Sequence, residues 1–377
     1  MTGVIDRNRP PADSFTSLLE VAREASSSHA AKADETGQLA PEVTEAILRA
    51  GFARFFVPPA WGGGSGSFLD MTRGATAIGR GCTSAAWFAS LAATLGRFAA
   101  YLPDEGRAAV WADGPDTLVV GSLVPSGTAV REGTGWRLNG SWPNVSSVRF
   151  AQWALVLALA ETERGEERVF FAVPRAGYEI SETWSALGMR ATGSHTVLVR
   201  DWLVPDGHSF ARSDLDTGRR DGADVPYCAV PLEAVSGLSF AAPVLGAARG
   251  ALETWKQLYT GPRRPPAMAL SAGAAEQAFA RAAAEVDTAE LVLESVAVAA
   301  DTGTFPEGWP ERGARDCALA TELCVAAVDR LARSAGTGAL ANGRDLQRIW
   351  RDVSTAASHI MLNFPRAAAG YVRTVLT

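Results

Sequence analysis

The sequence predicts an α+β chain in three successive parts: an all-helical N-terminal domain, a small central β-barrel or sandwich domain, and a C-terminal four-helix bundle. Two changes of texture carry that prediction. Alanine- and leucine-rich stretches with helical spacing run from Ser14 to about Ala112, then give way near Asp116 to short β-rich runs separated by turn residues. Past Ser213 a polar stretch, DLDTGRRDGADVPY, leads into alanine-rich helices that continue to the end. The implied divisions are a flexible N-terminus at 1–13, helices at 14–115, the β-domain at 116–212, a linker loop at 213–230 and the bundle at 231–377.

Each part has its own signature. SLLEVAREASSSHAAKADETG and PEVTEAILRAGF repeat apolar residues at helical intervals, and VPPAWGGGSGS breaks the pattern with proline and glycine before FLDMTRGATAIGR and CTSAAWFASLAATLGRFAAYL resume it. The β-domain is written in TLVVGSL, GWRLNGSW, WALVLALA, ERVFFAVP and HTVLVRDWLVP, runs rich in β-branched and aromatic residues. In the last part, AAPVLGAARGALETWKQLYT, AEQAFARAAAEVDTAELVLESVAVAA, RDCALATELCVAAVDRLARSAG and RDLQRIWRDVSTAASHIMLN have wide apolar faces. A helix apolar on most sides is buried on most sides, so the bundle is expected to pack against other subunits as well, as a homotetramer or dimer.

Bulk properties narrow the partners. At 377 residues and 47% hydrophobic, the chain is long enough for a large divided core. A net charge of -6 and an acidic pI of 5.4 argue against nucleic acid or an anionic membrane, leaving a small molecule as the expected partner. The four cysteines, Cys82, Cys228, Cys317 and Cys324, are scattered without metal-ligand spacing, so they read as reduced core residues of a cytoplasmic protein that binds no metal. No apolar signal stretch opens the chain.

Helices, a β-domain and a bundle in that order resemble the acyl-CoA dehydrogenase superfamily over nearly the whole chain. The resemblance is carried by VPPAWGG, CTSAAWFAS, YLPDEGRAAVWADGPDTLVVGSLVPSGTA, GWRLNGSWPNVSSVRFAQWALV, WSALGMRATGSHTVLVRDWLVP, AAAEVDTAELVL and LQRIWRDVSTAASH. Within the superfamily the sequence looks most like the two-component flavin monooxygenases, such as the 4-hydroxyphenylacetate hydroxylase oxygenase component, the phenol and polyketide hydroxylases and the amino-sugar N-oxygenases. That likeness implies reduced FMN or FAD, molecular oxygen as co-substrate, a C4a-hydroperoxide as the oxygenating species, and a separate NAD(P)H flavin reductase. Consistent with a separate reductase, no Gly-x-Gly-x-x-Gly opens a βαβ unit.

The same likeness assigns residues. Ser146, with Ser147 as second choice, matches the serine near flavin N5, and Trp142 the tryptophan flanking the isoalloxazine. Ser122, Thr192 and Ser194 match flavin-facing loops, while Arg263, with Arg264 beside it, suits a flavin phosphate because a guanidinium contacts phosphate bidentately. Trp87 and Arg97 fall with the substrate; Gly96 or Arg97 stands near the place where relatives often carry a histidine, which implies an altered substrate. Arg348, Asp352, Thr355 and His359 follow four-, three- and four-residue steps, a spacing that lines one helix face. Of these, Asp352 and His359 are the expected catalytic groups and Arg348 a flavin contact, with His359 able to accept a phenol proton or steady the hydroperoxide. A dehydrogenase would instead need a carboxylate base in the bundle. After Glu322, however, only Asp329, Asp345 and Asp352 remain. That reading and a non-redox ligand-binding or isomerising one stay as alternatives, separated by flavin retention.

Overall fold

The computed structural model describes residues 12–163, 165–218, 225–261, 272–303, 305 and 308–376; of the expected flexible stretch 1–13, residues 1–11 lie outside them while 12 and 13 open the first helix, and the loop with Arg263 and Arg264 also lies outside. Five helices open the chain: α1 (Ala12–Thr36), α2 (Pro41–Arg49), α3 (Phe68–Gly79), α4 (Thr83–Ala99) and α5 (Asp104–Val110). Helix α3 starts where the Ser67 hydroxyl accepts the Asp70 N–H at 3.0 Å. The freed N–H groups of Phe68 and Leu69 donate to the Asp301 carboxylate at 2.7 and 3.0 Å, which ties this helix to the later bundle. Helix α4 is buried along nearly all of its length, which its alanine and glycine content permits.

The central part is one mixed sheet of seven strands: β1 (Val119–Glu132), β2 (Gly135–Val145), β3 (Trp153–Thr162), β4 (Gly165–Pro174), β5 (Glu179–Ser181), β6 (His195–Pro205) and β7 (Ser209–Ala211). Its order is β5-β6-β2-β1-β3-β4-β7, and the predicted barrel or sandwich takes this single-sheet form. β1 pairs antiparallel with β2 and parallel with β3, with its register broken between Ser122 and Gly127. Two further breaks interrupt β2 against β6, between Leu138 and Gly140 and between Trp142 and Val145, the latter at the end of β2 where it meets the start of β6.

After α6 (Arg212–Thr217) and α7 (Leu232–Val235), the bundle consists of α8 (Leu238–Thr260), α9 (Ala272–Thr302), α10 (Trp309–Ala335) and α11 (Asp345–Ala356), followed by α12 (Phe364–Leu376). The stretch Leu232–Thr260 is long and apolar enough to cross a membrane by composition, but 94% of its apolar window is buried inside the fold. At the crossing of α3 and α8, a Cβ on Gly246 would lie 2.4 Å from the Thr76 carbonyl, so only glycine permits this close approach. One apolar core runs through the N-terminal helices, one face of the sheet and the bundle, while the other face closes on its own core around Trp142. The four cysteines are free and buried.

Candidate active site

The end of β2, the start of β6, α4, α8 and the turn after α11 converge on one chain of polar contacts. The Trp87 indole N–H donates to the Ser146 hydroxyl at 3.2 Å. The Ser146 and Ser194 hydroxyls are 2.8 Å apart, Ser194 and Thr192 2.7 Å, and Thr192 donates to the Met189 carbonyl at 2.9 Å. Ser147 and Thr192 are joined through the backbone, Ser147 N–H to Thr192 carbonyl at 2.8 Å. Tight backbone makes the meeting possible: Asn144, Ser147 and Met189 all have φ near +60° (60°, 63° and 54°), and Gly193 has 52°. Ser194, Thr192 and Ser147 are buried, whereas Ser146 is partly exposed.

Aromatic rings form the adjoining wall. Phe240, on α8, stacks on His359 at 3.9 Å between centroids, and Trp87 meets both rings at 5.0 and 5.7 Å. His359 does not continue the α11 face as its spacing implied. Helix α11 ends at Ala356, and His359 caps the following short turn, its Nδ1 accepting the Met361 N–H at 3.3 Å. That contact places the proton of the neutral ring on Nε2. Burial, reinforced by the Arg366 charge, pushes its pKa down to about 4, so at neutral pH His359 is a hydrogen-bond donor and a weak base.

Asp352 has a different task. Its carboxylate accepts the Met189 N–H at 2.6 Å; Thr355 accepts the Gly188 N–H at 3.0 Å, and Arg351 donates to the Leu187 carbonyl at 2.8 Å. Three consecutive loop residues are thus clamped to α11. Asp352 therefore positions the loop that carries Thr192 and Ser194, in place of the expected catalytic contact. Burial raises its pKa to about 6, against the Arg348 charge. Between its ordinary 3.8 and 6, the folded state takes up a proton, so this group lowers stability as pH rises through that window. His359 acts oppositely: stability from its neutral ring is present above 6.5 and is lost as pH falls towards 4. Asp352→Asn, which keeps an acceptor for Met189, is expected to lose stability on acidification from about pH 6 to 4 more steeply than the parent, because the Asp352 slope that opposes that of His359 is gone. Thermal unfolding across that range checks it; an unchanged pH profile would refute the assignment.

Other predicted residues lie elsewhere. Trp142 is fully buried, donates to the Leu157 carbonyl at 2.7 Å and fills the space beside Gly127 and Gly140, so it belongs to the sheet core and cannot flank a bound ring. Arg97 is 1% exposed: it donates to the Tyr227 carbonyl at 2.9 Å and to the Val230 carbonyl, and lies over the Phe68 ring. It fastens the 226–230 turn to α4 rather than facing a substrate, and Arg97→Ala is expected to cost about 2–4 kcal/mol of stability through unpaired carbonyls and a cavity, leaving the KM for substrate little changed. Denaturant unfolding alongside steady-state kinetics separates the two. Arg348 is buried against the Gly81 carbonyl (3.4 Å) and Asp345 (3.0 Å), bracing α11 to the α3–α4 turn. Ser122 is buried at the β1 register break, 3.4 Å from the Val124 N–H, and no described contact joins it to the hydroxyl chain. His195 is buried and accepts the Trp184 N–H at 3.2 Å.

The chemistry of these side chains suits the polar edge of a flavin. Ser146 is the partly exposed hydroxyl of the chain, and the Ser147 hydroxyl is buried without a described partner in the same turn. Phe240 and the Arg351–Thr355 clamp were not anticipated. Phe240 sits in a helix that is apolar throughout, so nothing in its pattern distinguishes it.

Comparison with known proteins shows the family. Residues 16–106 match the acyl-CoA dehydrogenase N-terminal domain and residues 238–364 the acyl-CoA dehydrogenase C-terminal domain. The FADH(2)-dependent resorcinol hydroxylase oxygenase component of Rhizobium sp. (strain MTP-10005) is 30% identical over 89% of this chain and 87% of its own. The flavin-dependent monooxygenase oxygenase subunit HsaA of Rhodococcus jostii (strain RHA1) is 28% identical over 94% of this chain and 95% of its own. The solved structure of XiaF from Streptomyces sp., in complex with FADH2 and glycerol, superposes with a TM-score of 0.87 at 26% identity, covering 97% of this chain and 96% of that one. The chain belongs to the acyl-CoA dehydrogenase family, and within it to the oxygenase components of the two-component flavin-dependent monooxygenases.

Proposed function

We propose that this oxygenase component hydroxylates a planar aromatic, phenol-type small molecule held against Trp87, Phe240 and His359, using reduced FMN or FAD delivered by a separate NAD(P)H reductase. The observation that carries the reading is the aromatic wall directly continuous, through Trp87, with the hydroxyl chain of Ser146, Ser194 and Thr192. Reduced flavin supplies the electrons with which one atom of dioxygen passes to the substrate and the other leaves as water. Ser146 and Ser147 would hold the cofactor's polar edge. His359, through Nε2–H, steadies negative charge developing on a phenol oxygen, while the rings exclude water and orient the substrate face.

A carboxylate-driven dehydrogenation has less support. Asp352 is spent on Met189, Asp329 pairs with Arg333, and Asp345 pairs with Arg348. Exposed apolar residues on α9 (Leu291, Val298) and α12 (Val372, Val375, Leu376) support a homotetramer or dimer, and four free, buried cysteines suit a cytoplasmic enzyme. The test supplies reduced FMN from a flavin reductase under ¹⁸O₂ with resorcinol as probe. Incorporation of one labelled atom into the product supports the reading. Peroxide release with every phenolic probe, and no labelled product, would refute it.

A further inference from the structure

Helix α4 is buried at every position but Leu91 and Thr94, which are partly open. They follow Trp87 at four- and seven-residue steps, the spacing of one helix face, so the face that begins at the aromatic wall stays accessible for about 10 Å beyond it. Opposite lies the start of α8. Ser236 and Gly237 both have helical backbone angles, so α7 runs on into α8, and Ser236, Ser239 and Phe240 share a face. With about 100° between successive residues, Ser239 stands about 60° to one side of Ser236 and Phe240 about 40° to the other. Both neighbours touch α4: the Ser239 hydroxyl is 2.7 Å from that of Thr94, and the Phe240 ring is 5.0 Å from that of Trp87. Ser236 is therefore aimed between them at α4. Its hydroxyl, in a residue only 5% exposed, has no described partner, which leaves a hydrogen bond for a ligand to make.

We propose that Thr94, Ser236 and Ser239 form a specificity subsite for a neutral oxygen, a hydroxyl or a ketone, which the substrate carries about two helical turns away from the ring that is hydroxylated. The inference rests on the reading that a phenol ring lies against Trp87, Phe240 and His359. Three features set the class of group. A hydroxyl both donates and accepts, so three of them serve either kind of oxygen. None of the three is charged, and the Arg97 guanidinium one turn further along α4 is directed to the Tyr227 and Val230 carbonyls, so a carboxylate here would be buried without a counter-ion. Leu91 lies between Trp87 and Thr94 on the same face, so the stretch joining ring and oxygen meets an apolar side chain and is itself hydrocarbon.

Three phenols that differ only at the far end test this: 4-propylphenol, 4-(3-hydroxypropyl)phenol and 3-(4-hydroxyphenyl)propanoate, each supplied with reduced FMN from a flavin reductase under ¹⁸O₂. The parent enzyme is expected to favour the hydroxypropyl over the propyl compound about three- to tenfold in kcat/KM, the worth of one hydrogen bond, and to use the propanoate less well than the hydroxypropyl compound. Thr94→Val and Ser236→Ala, which remove one hydroxyl each at nearly constant shape, should bring the hydroxypropyl-to-propyl ratio down towards one. A substitution that merely loosened the α4–α8 packing would slow both phenols alike and leave the ratio at its parent value. That outcome in the Thr94→Val/Ser236→Ala double variant overturns the inference, as does a parent enzyme that uses the two phenols equally or prefers the propanoate. If none of the three takes up label, and resorcinol does not either, the reading of the ring site fails and the subsite falls with it.

Discussion

His359→Ala is expected to lower hydroxylation by about 100- to 1,000-fold, the usual range for removing a positioned proton-bearing group, while reduced flavin is still consumed and peroxide is released. His359→Gln should recover part of that loss, because its amide nitrogen can donate where Nε2–H does; His359→Phe, which preserves stacking on Phe240 but no donor, should not. Stability separates chemistry from packing. The alanine cavity beside Phe240 and Trp87 costs about 1–3 kcal/mol, whereas the phenylalanine variant costs less. The pH dependence adds a second readout. With the ring held neutral down to about pH 4, product formation should show no limb near 6.5 from this residue. A parent profile with a limb at 6.5 that vanishes in His359→Gln, or an alanine variant that hydroxylates at the parental rate, would remove His359 from the role.

The order of helices, strands and bundle was legible because periodicity and turn chemistry are local, and the three parts differ in both. The reading of Ser146, Thr192 and Ser194 came from the family resemblance rather than from patterning, and the structure joins their three hydroxyls by hydrogen bonds through Ser194 in the segments after β2 and before β6. Trp142 misled because a tryptophan beside a serine turn has the same letters whether its ring faces a ligand or the sheet. The break between Trp142 and Val145 changes which side the following residues face, and no period-two count locates such a break in advance. Arg97 misled in a similar way, since a guanidinium satisfied by the carbonyls of Tyr227 and Val230 depends on contacts more than 100 residues distant, at separations of 130 and 133. The helical stripe through His359 failed by one turn. Its first three members do lie on α11, and Asp352 and Thr355 both reach the 188–189 loop; the helix then stops, and the histidine is turned towards Phe240 by the turn that follows.

Gly188→Ala should be the most damaging small substitution near the site. A Cβ there would lie 2.2 Å from the Arg351 carbonyl oxygen, 2.3 Å from its carbon and 2.6 Å from the Asp352 nitrogen. All three are helix backbone, so no rotamer change relieves the clash, and the loop has to move away from α11. Moving it breaks the contacts of Leu187, Gly188 and Met189 with Arg351, Thr355 and Asp352, two of them bonds to groups that are buried. The expected cost is about 3–5 kcal/mol, in the range seen when a buried hydrogen-bonded charge loses its partner. Function should fall further than stability alone explains, because Met189 anchors one end of the hydroxyl chain and Thr192 lies three residues on. Flavin affinity is expected to drop about 100-fold in the fraction that remains folded. Gly273→Ala, in α9 with nothing within 4 Å of the added Cβ, serves as the comparison and should be neutral or slightly stabilising. A Gly188→Ala protein with parental melting temperature and flavin affinity would mean that the loop is not held against α11, and with it the positioning role of Asp352 would fall.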